Sequence, residues 1–355
     1  MKRDIATILM LGIILTMSAC GRAVNDASDL DSTSTESVSD NIEIASDPTD
    51  LGDPDKDMND SMQIIPQTGW TTSIPSEYLR TSSEQGIVQP IEYETKDYAG
   101  DGSDIVKTAY VYLPYGYDEN DNDNDTRYNI LYLMHGWGGH AGEYFEYGAK
   151  DLFDNLIEKG DIPPLIIVSP SFYHDGSSGD FSSSITAFRA FHNEFENDLM
   201  PAVEGKYHTY AGSPSDDDLK SSRDHRAFGG FSLGSVTTWL QFCYDYDYIH
   251  YFLPMSGSSW YYGTYGDFQI EKNVDFIEQL VKDNNLKERG YFIYHAVGTN
   301  DTVKSQSIDM ADEMLTRDIF TPDNYVFYQK DGGYHDFNAV QEYLYNALPL
   351  FFDKQ

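Results

Sequence analysis

The sequence has little cysteine: Cys20 and Cys243 are the two among 355 residues. Cys20 stands near the N-terminus, and Cys243 lies in the apolar run "WLQFCY". The folded region therefore contains a single thiol and no internal disulfide, so its hydrophobic core has to stabilise it.

Positive charge is also scarce, with 23 Lys and Arg against 59 Asp and Glu and a net charge of −36. Nucleic acids and anionic membrane surfaces are bound through stripes of Lys and Arg, so we expect neither as a partner. The charge balance is compatible with a neutral polysaccharide or a small ester.

Motifs for metals and cofactors are missing as well. The sequence has no Cys/His cluster, no HExxH and no phosphate-binding loop. The stretch "NDNDND" at 120–125 resembles half of a calcium loop, but it lacks the glycine and the final glutamate of that motif. We therefore expect a solvated loop there, no metal site and no cofactor.

The N-terminus carries a short apolar run, residues 5–17, directly after "MKRD". Its 13 residues are too few to span a bilayer comfortably and are typical of a signal peptide. The following "MSAC" resembles a bacterial lipobox, which predicts a lipoprotein signal peptide over 1–19 and lipidation of Cys20. The alternative is an ordinary signal peptide with an incidental Cys20. Either predicts export, as a cell-surface lipoprotein anchored through Cys20 or as a secreted protein, with membrane contact only through the lipid.

Residues 20–66 are predicted to form an acidic, Ser/Thr/Asp-rich disordered linker. Residues 24–60 contain 12 acidic side chains, one lysine and no aromatic residue. Such a segment buries too little apolar surface to offset its chain entropy. We expect a flexible leash ahead of one folded domain over 67–355.

The folded region alternates strand-length apolar runs with longer helical patterns. This alternation predicts an α/β fold with a mostly parallel central sheet flanked by helices, whose active site lies at the carboxyl ends of the strands. The predicted strands are 106–113, 128–134, 164–169, 227–231, 251–255, 291–297 and 324–329. The predicted helices are 142–158, 187–204, 235–244, 273–283, 303–315 and 338–351.

Ser232 is the candidate nucleophile because it is the serine of the Gly-x-Ser-x-Gly motif in "GGFSLGS". By itself the motif is equally a serine between two glycines. Here it falls between a predicted strand and a predicted helix, the context in which a sharp turn lifts the hydroxyl above the sheet. A serine hydroxyl is a weak nucleophile, so it needs a base and an orienting acid, in the chain order Ser, acid, His.

His335 is the candidate base among the three histidines that follow Ser232. His250 and His295 lie at or inside predicted strands, which indicates packing, whereas His335 lies in the loop "KDGGYHDF". Asp301, in "AVGTND" at the preceding strand end, is the candidate acid. The weaker candidates for the acid, in loops near His335, are Asp331 and Asp336.

Acyl transfer also needs two backbone N–H donors for the developing oxyanion. One is expected from Leu233, the residue after the nucleophile. The other is expected from Trp137 in the glycine-rich "LMHGWGGH", where a plain strand–helix turn is the alternative interpretation. His135 in the same segment is interpreted as a residue that shapes this loop rather than as a second base.

The motifs "LMHGWGG", "GGFSLGS", "GTND" and "GGYHDF" together resemble the esterase D-like branch of the α/β-hydrolases. That branch includes the carbohydrate esterase family 1 feruloyl and acetylxylan esterases, and the resemblance covers about residues 74–352. It implies an α/β-hydrolase fold, a triad of Ser232, Asp301 and His335, and an oxyanion hole of Trp137 and Leu233. The sequence departs from many relatives in having Leu-Gly-Ser where they have Met-Gly-Gly, and a backbone N–H tolerates that change.

The acyl pocket is predicted from aromatic residues at strand ends. Trp137, Phe172, Tyr173 and Trp260 are the candidates for stacking on an aromatic acyl group or on sugars. The alternative is that these are ordinary packed residues of a chain with 28 Tyr and 19 Phe. No insertion between Ser232 and Asp301 is long enough for a large cap domain, which favours an open cleft.

Three functional hypotheses follow. The first is a serine carboxylesterase that removes feruloyl groups from plant cell-wall xylan through an acyl-enzyme, with an ester-decorated polysaccharide or oligosaccharide as partner. The second is an acetylxylan or general short-chain acyl esterase, or a peptidase of the same fold. The third is a carbohydrate-binding lipoprotein without catalysis, which has no need for all of these motifs. The oligomeric state stays open.

Overall fold

The computed structural model describes residues 73–120, 126–174 and 179–352. The predicted signal peptide, Cys20 and the predicted linker over 20–66 lie outside the described residues. So does most of the "NDNDND" stretch, and these predictions are not tested by the fold.

One eight-stranded sheet forms the centre of the fold, in the order β1-β2-β4-β3-β5-β6-β7-β8. The first three strands in this order pair antiparallel, and every other neighbouring pair is parallel. This confirms the predicted mostly parallel sheet of an α/β-hydrolase. The strands are β1 (Ile87–Lys96), β2 (Asp104–Leu113), β3 (Asn129–Met134), β4 (Leu165–Ser169), β5 (Arg226–Phe231), β6 (Tyr251–Met255), β7 (Phe292–Gly298) and β8 (Tyr325–Lys330).

Strand β1 was missed by the sequence reasoning. It lies at the edge of the sheet, and only Ile91, Tyr93 and Thr95 of its side chains are buried. The strand contains Pro90, which edge strands tolerate because an unpaired N–H is dispensable there. The glutamates between its buried residues weaken the hydrophobic signal, so an edge strand of this kind reads as a loop.

Helices cover both faces of the sheet, as the continuous burial of β3, β4 and β5 requires. Residues of α3, α6, α7 and α9 pack on one face, and residues of α2 and α10 pack on the other. No helix among the described residues is long and apolar enough to cross a membrane. The helices are α1 (Glu143–Glu146), α2 (Ala149–Glu158), α3 (Phe181–Glu194), α4 (Met200–Glu204), α5 (Asp216–Ser221), α6 (Leu233–Tyr244), α7 (Ile270–Asp283), α8 (Leu286–Arg289), α9 (Lys304–Leu315) and α10 (Phe337–Ala347).

Two predicted helices are not regular α-helices along their whole length. The first divides at Gly148, whose φ of 85° is left-handed and separates α1 from α2. The second continues from α3 into a π-helical turn, Phe195–Leu199, before α4 begins. Pro201 has no N–H to donate to the preceding turn, and a wider turn accommodates its ring.

The carboxyl ends of the parallel strands lie along one edge of the sheet. Ser232 follows β5, Asp301 follows β7 and His335 follows β8. In the described chain, β6 is connected to α7 by a single loop over 256–269, in agreement with the prediction of no large cap domain.

Candidate active site

Ser232 lies in a strained turn between β5 and α6. Its φ of 59° and ψ of −116° lie in a region that a residue with a Cβ rarely adopts. The turn is tight, since a Cβ on Gly230 would lie 2.3 Å from the carbonyl oxygen of Gly234. The Ser232 N–H donates to the Met255 carbonyl on β6 at 2.9 Å, which anchors the turn. The strained turn thus holds the Ser232 hydroxyl above the edge of the sheet.

The structure brings Ser232, His335 and Asp301 together. His335 Nε2 lies 2.9 Å from Ser232 Oγ, and its Nδ1 lies 2.9 and 3.0 Å from the two Asp301 carboxylate oxygens. An ionised carboxylate can only accept hydrogen bonds, so Nδ1 carries the proton and donates to Asp301. Nε2 is then left to accept from the Ser232 hydroxyl, which is the arrangement that a general base needs.

Asp301 is held in its ionised form. Burial alone would raise the pKa of this carboxyl group, but hydrogen bonds from His335 and from the Val303 N–H lower its pKa below the usual value. The Val303 N–H donates to Asp301 Oδ1 at 2.8 Å. Its negative charge can therefore orient the imidazole and stabilise an imidazolium.

The two weaker candidates for the acid have other partners. Asp336 caps α10 by accepting a hydrogen bond from the Ala339 N–H at 3.0 Å. Asp331 accepts from the Thr299 hydroxyl at 3.4 Å on an exposed loop. Neither contact involves His335, so Asp301 is the acid that geometry favours.

The glycine-rich loop over 135–139 lies against Ser232. A Cβ on Gly136 would lie 3.1 Å from Ser232 Cβ, so a side chain at this position would crowd the nucleophile. Among the described residues the Trp137 N–H has no acceptor. Leu233 is the first residue of α6, and N–H groups of the first turn have no acceptor within a helix. Both predicted oxyanion donors are therefore free to bind an oxyanion.

His135 supports this loop from below. It is fully buried, with Nδ1 lying 2.7 Å from the Gly136 carbonyl oxygen and Nε2 2.8 Å from Ser171 Oγ. Burial lowers the pKa of His135 to about 3, so the ring is neutral at neutral pH. The surroundings of His135 agree with the interpretation that it shapes the loop.

A cavity of about 400 Å³ opens beside Ser232. Four aromatic rings form much of its wall. The Phe181 centroid lies 5.5 Å from that of Trp137, 6.4 Å from that of Trp260 and 5.8 Å from that of Tyr265. The lining residues are Trp137, Phe181, Ser232, Leu233, Val236, Ser256, Trp260, Tyr265, Val303, Gln306 and His335. The cavity is thus an apolar, aromatic compartment with the nucleophile in its wall.

The structure places only two of the four predicted pocket aromatics in this cavity. Trp137 and Trp260 line it, whereas Phe172 and Tyr173 are buried behind the loop over 135–139. The Tyr173 hydroxyl accepts from the Gly138 N–H at 3.1 Å, and the Phe172 and His135 rings are 4.5 Å apart. In the structure Phe172 and Tyr173 therefore contact the loop over 135–139 and do not line this cavity.

The sequence does not predict six of the lining residues, among them Phe181, Tyr265 and Gln306. Phe181 is the first residue of α3, which begins six residues before the predicted helix 187–204. Tyr265 lies between two glycines with positive φ, a loop signal that could have nominated it. Gln306 is a polar residue in a helical pattern, and nothing in the sequence distinguishes it from a solvated one.

The family model described as "Putative esterase" matches residues 106–351. Endo-1,4-beta-xylanase Y of Acetivibrio thermocellus is 33% identical over 287 residues, which are 78% of this chain and 24% of the relative. Endo-1,4-beta-xylanase/feruloyl esterase of Xylanibacter ruminicola is 36% identical over 141 residues, which are 38% of this chain and 17% of that relative. The chain therefore spans about a quarter or less of the length of these relatives.

A solved structure matches over a comparable extent. It is that of a serine-to-alanine mutant of the feruloyl esterase module from Clostridium thermocellum, complexed with sinapinate. The two chains are 30% identical with a TM-score of 0.68, and the match covers 81% of this chain and 97% of the other. The similarity thus extends over almost the whole of that single module.

Proposed function

We propose that this chain, which belongs to the family described as "Putative esterase", is a serine carboxylesterase that removes feruloyl groups from plant cell-wall xylan. The observation that carries the proposal is the Ser232–His335–Asp301 hydrogen-bond chain at the wall of an aromatic cavity of about 400 Å³. The names of the similar proteins, a xylanase/feruloyl esterase and a feruloyl esterase module, support the substrate.

The mechanism begins with acylation. Ser232 Oγ attacks the ester carbonyl carbon while His335 Nε2 takes its proton, and the carbonyl oxygen becomes an oxyanion. The N–H groups of Trp137 and Leu233 donate to this oxyanion, a contribution of a few kcal/mol in related sites. The tetrahedral intermediate collapses, His335 gives the proton to the leaving sugar oxygen, and the acyl group stays on Ser232.

Deacylation repeats these steps with water. His335 Nε2 takes a proton from a water molecule, whose oxygen attacks the acyl-enzyme carbonyl carbon. Collapse of the second oxyanion breaks the bond to Ser232 Oγ, which takes the proton back from His335. The products are a free hydroxycinnamic acid and the sugar hydroxyl.

The cavity favours a feruloyl over an acetyl group. An aromatic acyl group can stack on Phe181 and Trp260 and remove apolar surface from water, whereas an acetyl group leaves most of the aromatic wall uncovered. We therefore expect acetylxylan or short-chain acyl ester hydrolysis as a secondary activity.

The test compares kcat/KM for methyl ferulate, feruloylated arabinoxylan oligosaccharides, acetylated xylan and a nitrophenyl acetate. We expect the two feruloyl substrates to be preferred over the acetyl substrates by at least about tenfold. A preference for acetyl esters would contradict the substrate while leaving the serine mechanism. No turnover of any ester by the folded protein would favour the non-catalytic carbohydrate-binding alternative.

We also propose export and anchoring through a lipid on Cys20, supported by the "MSAC" motif after the short apolar run. The acidic segment over 20–66 would then separate the lipid from the esterase domain. Metabolic labelling with a fatty acid should label the wild-type chain and leave Cys20→Ala unlabelled. Equal release of both chains into the medium, without label, would favour an ordinary signal peptide.

A further inference from the structure

One carboxamide stands in the otherwise largely apolar wall of the cavity beside Ser232. Gln306 lies in the first turn of α9 and borders the cavity, and the residue as a whole is 4% exposed. Its neighbours on the wall include Leu233, Val236 and Val303. The proposed mechanism assigns no role to this residue, although a buried amide has to satisfy both its acceptor and its donors.

The orientation of the amide is set by its partners. The Trp260 indole Nε1 donates to Gln306 Oε1 at 3.0 Å, and the Ser258 hydroxyl donates to the same oxygen at 3.0 Å. An indole N–H can only donate, so the atom that faces it has to be the amide oxygen. The Ser258 hydroxyl could accept from a flipped amide, but the indole N–H would then face the amine and lose its hydrogen bond.

This orientation leaves the Gln306 amine without a protein acceptor among the described residues. The side chain borders the cavity, so the cavity is the space from which an acceptor can reach Nε2. Ser232 and His335, two other polar groups on the wall, are hydrogen-bonded to each other. The cavity thus presents a pre-oriented donor to whatever acyl group is attached to Ser232.

We propose that Gln306 is a specificity-determining residue whose Nε2 donates a hydrogen bond to an oxygen substituent on the aromatic ring of the acyl group. The proposal rests on the proposed feruloyl esterase function and deepens it. A hydroxy or methoxy oxygen provides the acceptor, whereas an unsubstituted cinnamoyl ring that fills the cavity leaves the amine without one. Sites built to hydrogen-bond a substrate reject analogues that lack the partner for this reason.

The test compares kcat/KM for methyl ferulate and methyl cinnamate in wild type, Gln306→Met and Gln306→Glu. The methionine removes both functions of the amide. At about pH 8 the glutamate keeps an acceptor for Trp260 and Ser258 but replaces the amine by a second acceptor. We expect the wild-type preference for ferulate over cinnamate to fall by about tenfold in both variants.

The glutamate variant separates specificity from support. If Gln306 serves only as the acceptor that holds Trp260, Gln306→Glu will keep the wild-type ratio, and that result would overturn the proposal. Methyl esters of 4-hydroxycinnamate and 3-methoxycinnamate distinguish which ring oxygen accepts the hydrogen bond. Each is compared with methyl cinnamate, and only the ester whose oxygen accepts from Gln306 should have a kcat/KM advantage in wild type that falls in the variants. If wild type hydrolyses neither aromatic ester, the proposed function fails first, and the outcome is distinct from a retained ratio.

Discussion

Asp301 and Asp245 are both buried aspartates, with exposed fractions of 3% and 0%, but the fold gives them opposite surroundings. Asp301 accepts hydrogen bonds from His335 and from the Val303 N–H. Neither carboxyl oxygen of Asp245 has a partner among the described residues. Burial raises the pKa of Asp245 well above its usual value, whereas hydrogen bonds outweigh burial and lower the pKa of Asp301.

The difference comes from the position in the fold. Asp301 follows a parallel strand, where a loop N–H and the imidazole converge on its carboxylate. Asp245 follows the last residue of α6, where the helix dipole disfavours a negative charge. Equal burial thus leaves these two aspartates with opposite pKa shifts, because hydrogen-bond donors surround only the carboxyl group of Asp301.

Of the substitutions at these buried carboxyl groups, we expect the largest effect from removing the charge of Asp301. Asp301→Asn should lower kcat by about ten thousand-fold, as the equivalent substitution does in a serine protease triad, because the amide no longer holds His335 in the required tautomer. Steady-state kinetics on methyl ferulate measure the loss. Asp336→Asn and Asp245→Asn are matched controls, and a comparable loss in Asp336→Asn would contradict Asp301 as the acid.

A third buried carboxyl group, that of Glu194, tests how much a charged partner contributes to stability. Glu194 is 5% exposed, and Lys107 Nζ lies 2.8 Å from both its oxygens. Burial raises the pKa of Glu194, and Lys107 opposes that rise. Lys107→Met should lower the free energy of unfolding by about 3–5 kcal/mol, because it leaves a buried carboxyl group without its cation.

Urea denaturation measures this loss, with Lys107→Met/Glu194→Leu as the control. Replacing both partners removes the unpaired charge, so the double variant should recover most of the lost stability. If the double variant is as unstable as Lys107→Met, the loss comes from packing rather than from the unpaired carboxyl group.

The smallest expected effect is at Asp245. Because the pKa of Asp245 is raised in the folded state, folding favours its protonated form. The contribution of Asp245 to the free energy of unfolding is therefore complete below the ordinary Asp pKa of about 3.9, and it is lost as the pH rises through the folded-state pKa. Asp245→Asn has no such loss. We expect the variant to gain about 1–3 kcal/mol relative to wild type at neutral pH and much less at about pH 4.

Urea denaturation of both chains across this pH range measures the difference. Activity on methyl ferulate should be unchanged, because Asp245 lies at the far end of α6 from Ser232. A stability difference that stays constant with pH would contradict the raised pKa.

The sequence predicted the sheet and the three polar residues at its edge because both depend on local patterns. A parallel sheet brings the carboxyl ends of its strands to one edge, so residues that follow β5, β7 and β8 meet whatever the loops between them do. Ser232, Asp301 and His335 were therefore accessible from the order of strands. The role of His135 in shaping the loop could also be predicted, because glycines follow it in the segment "HGWGG".

Only part of the cavity wall could be predicted, because its composition depends on the direction in which each side chain points. Phe172 and Tyr173 follow a strand end, as Trp260 does, but they pack behind the loop over 135–139. Gln306 gains its place from two donors that are 46 and 48 residues away in the sequence. Such contacts arise from tertiary packing, which hydrophobic periodicity does not encode.

The proposed mechanism requires the feruloyl group to form a covalent ester with Ser232 Oγ during turnover. Mass spectrometry of wild-type protein, acid-quenched during turnover of methyl ferulate and digested, detects this acyl-enzyme. We predict a feruloyl adduct on the peptide that contains Ser232, and no adduct with a roughly million-fold lower kcat in Ser232→Ala. An adduct on another residue, or release of ferulate by Ser232→Ala at the wild-type rate, would contradict the account.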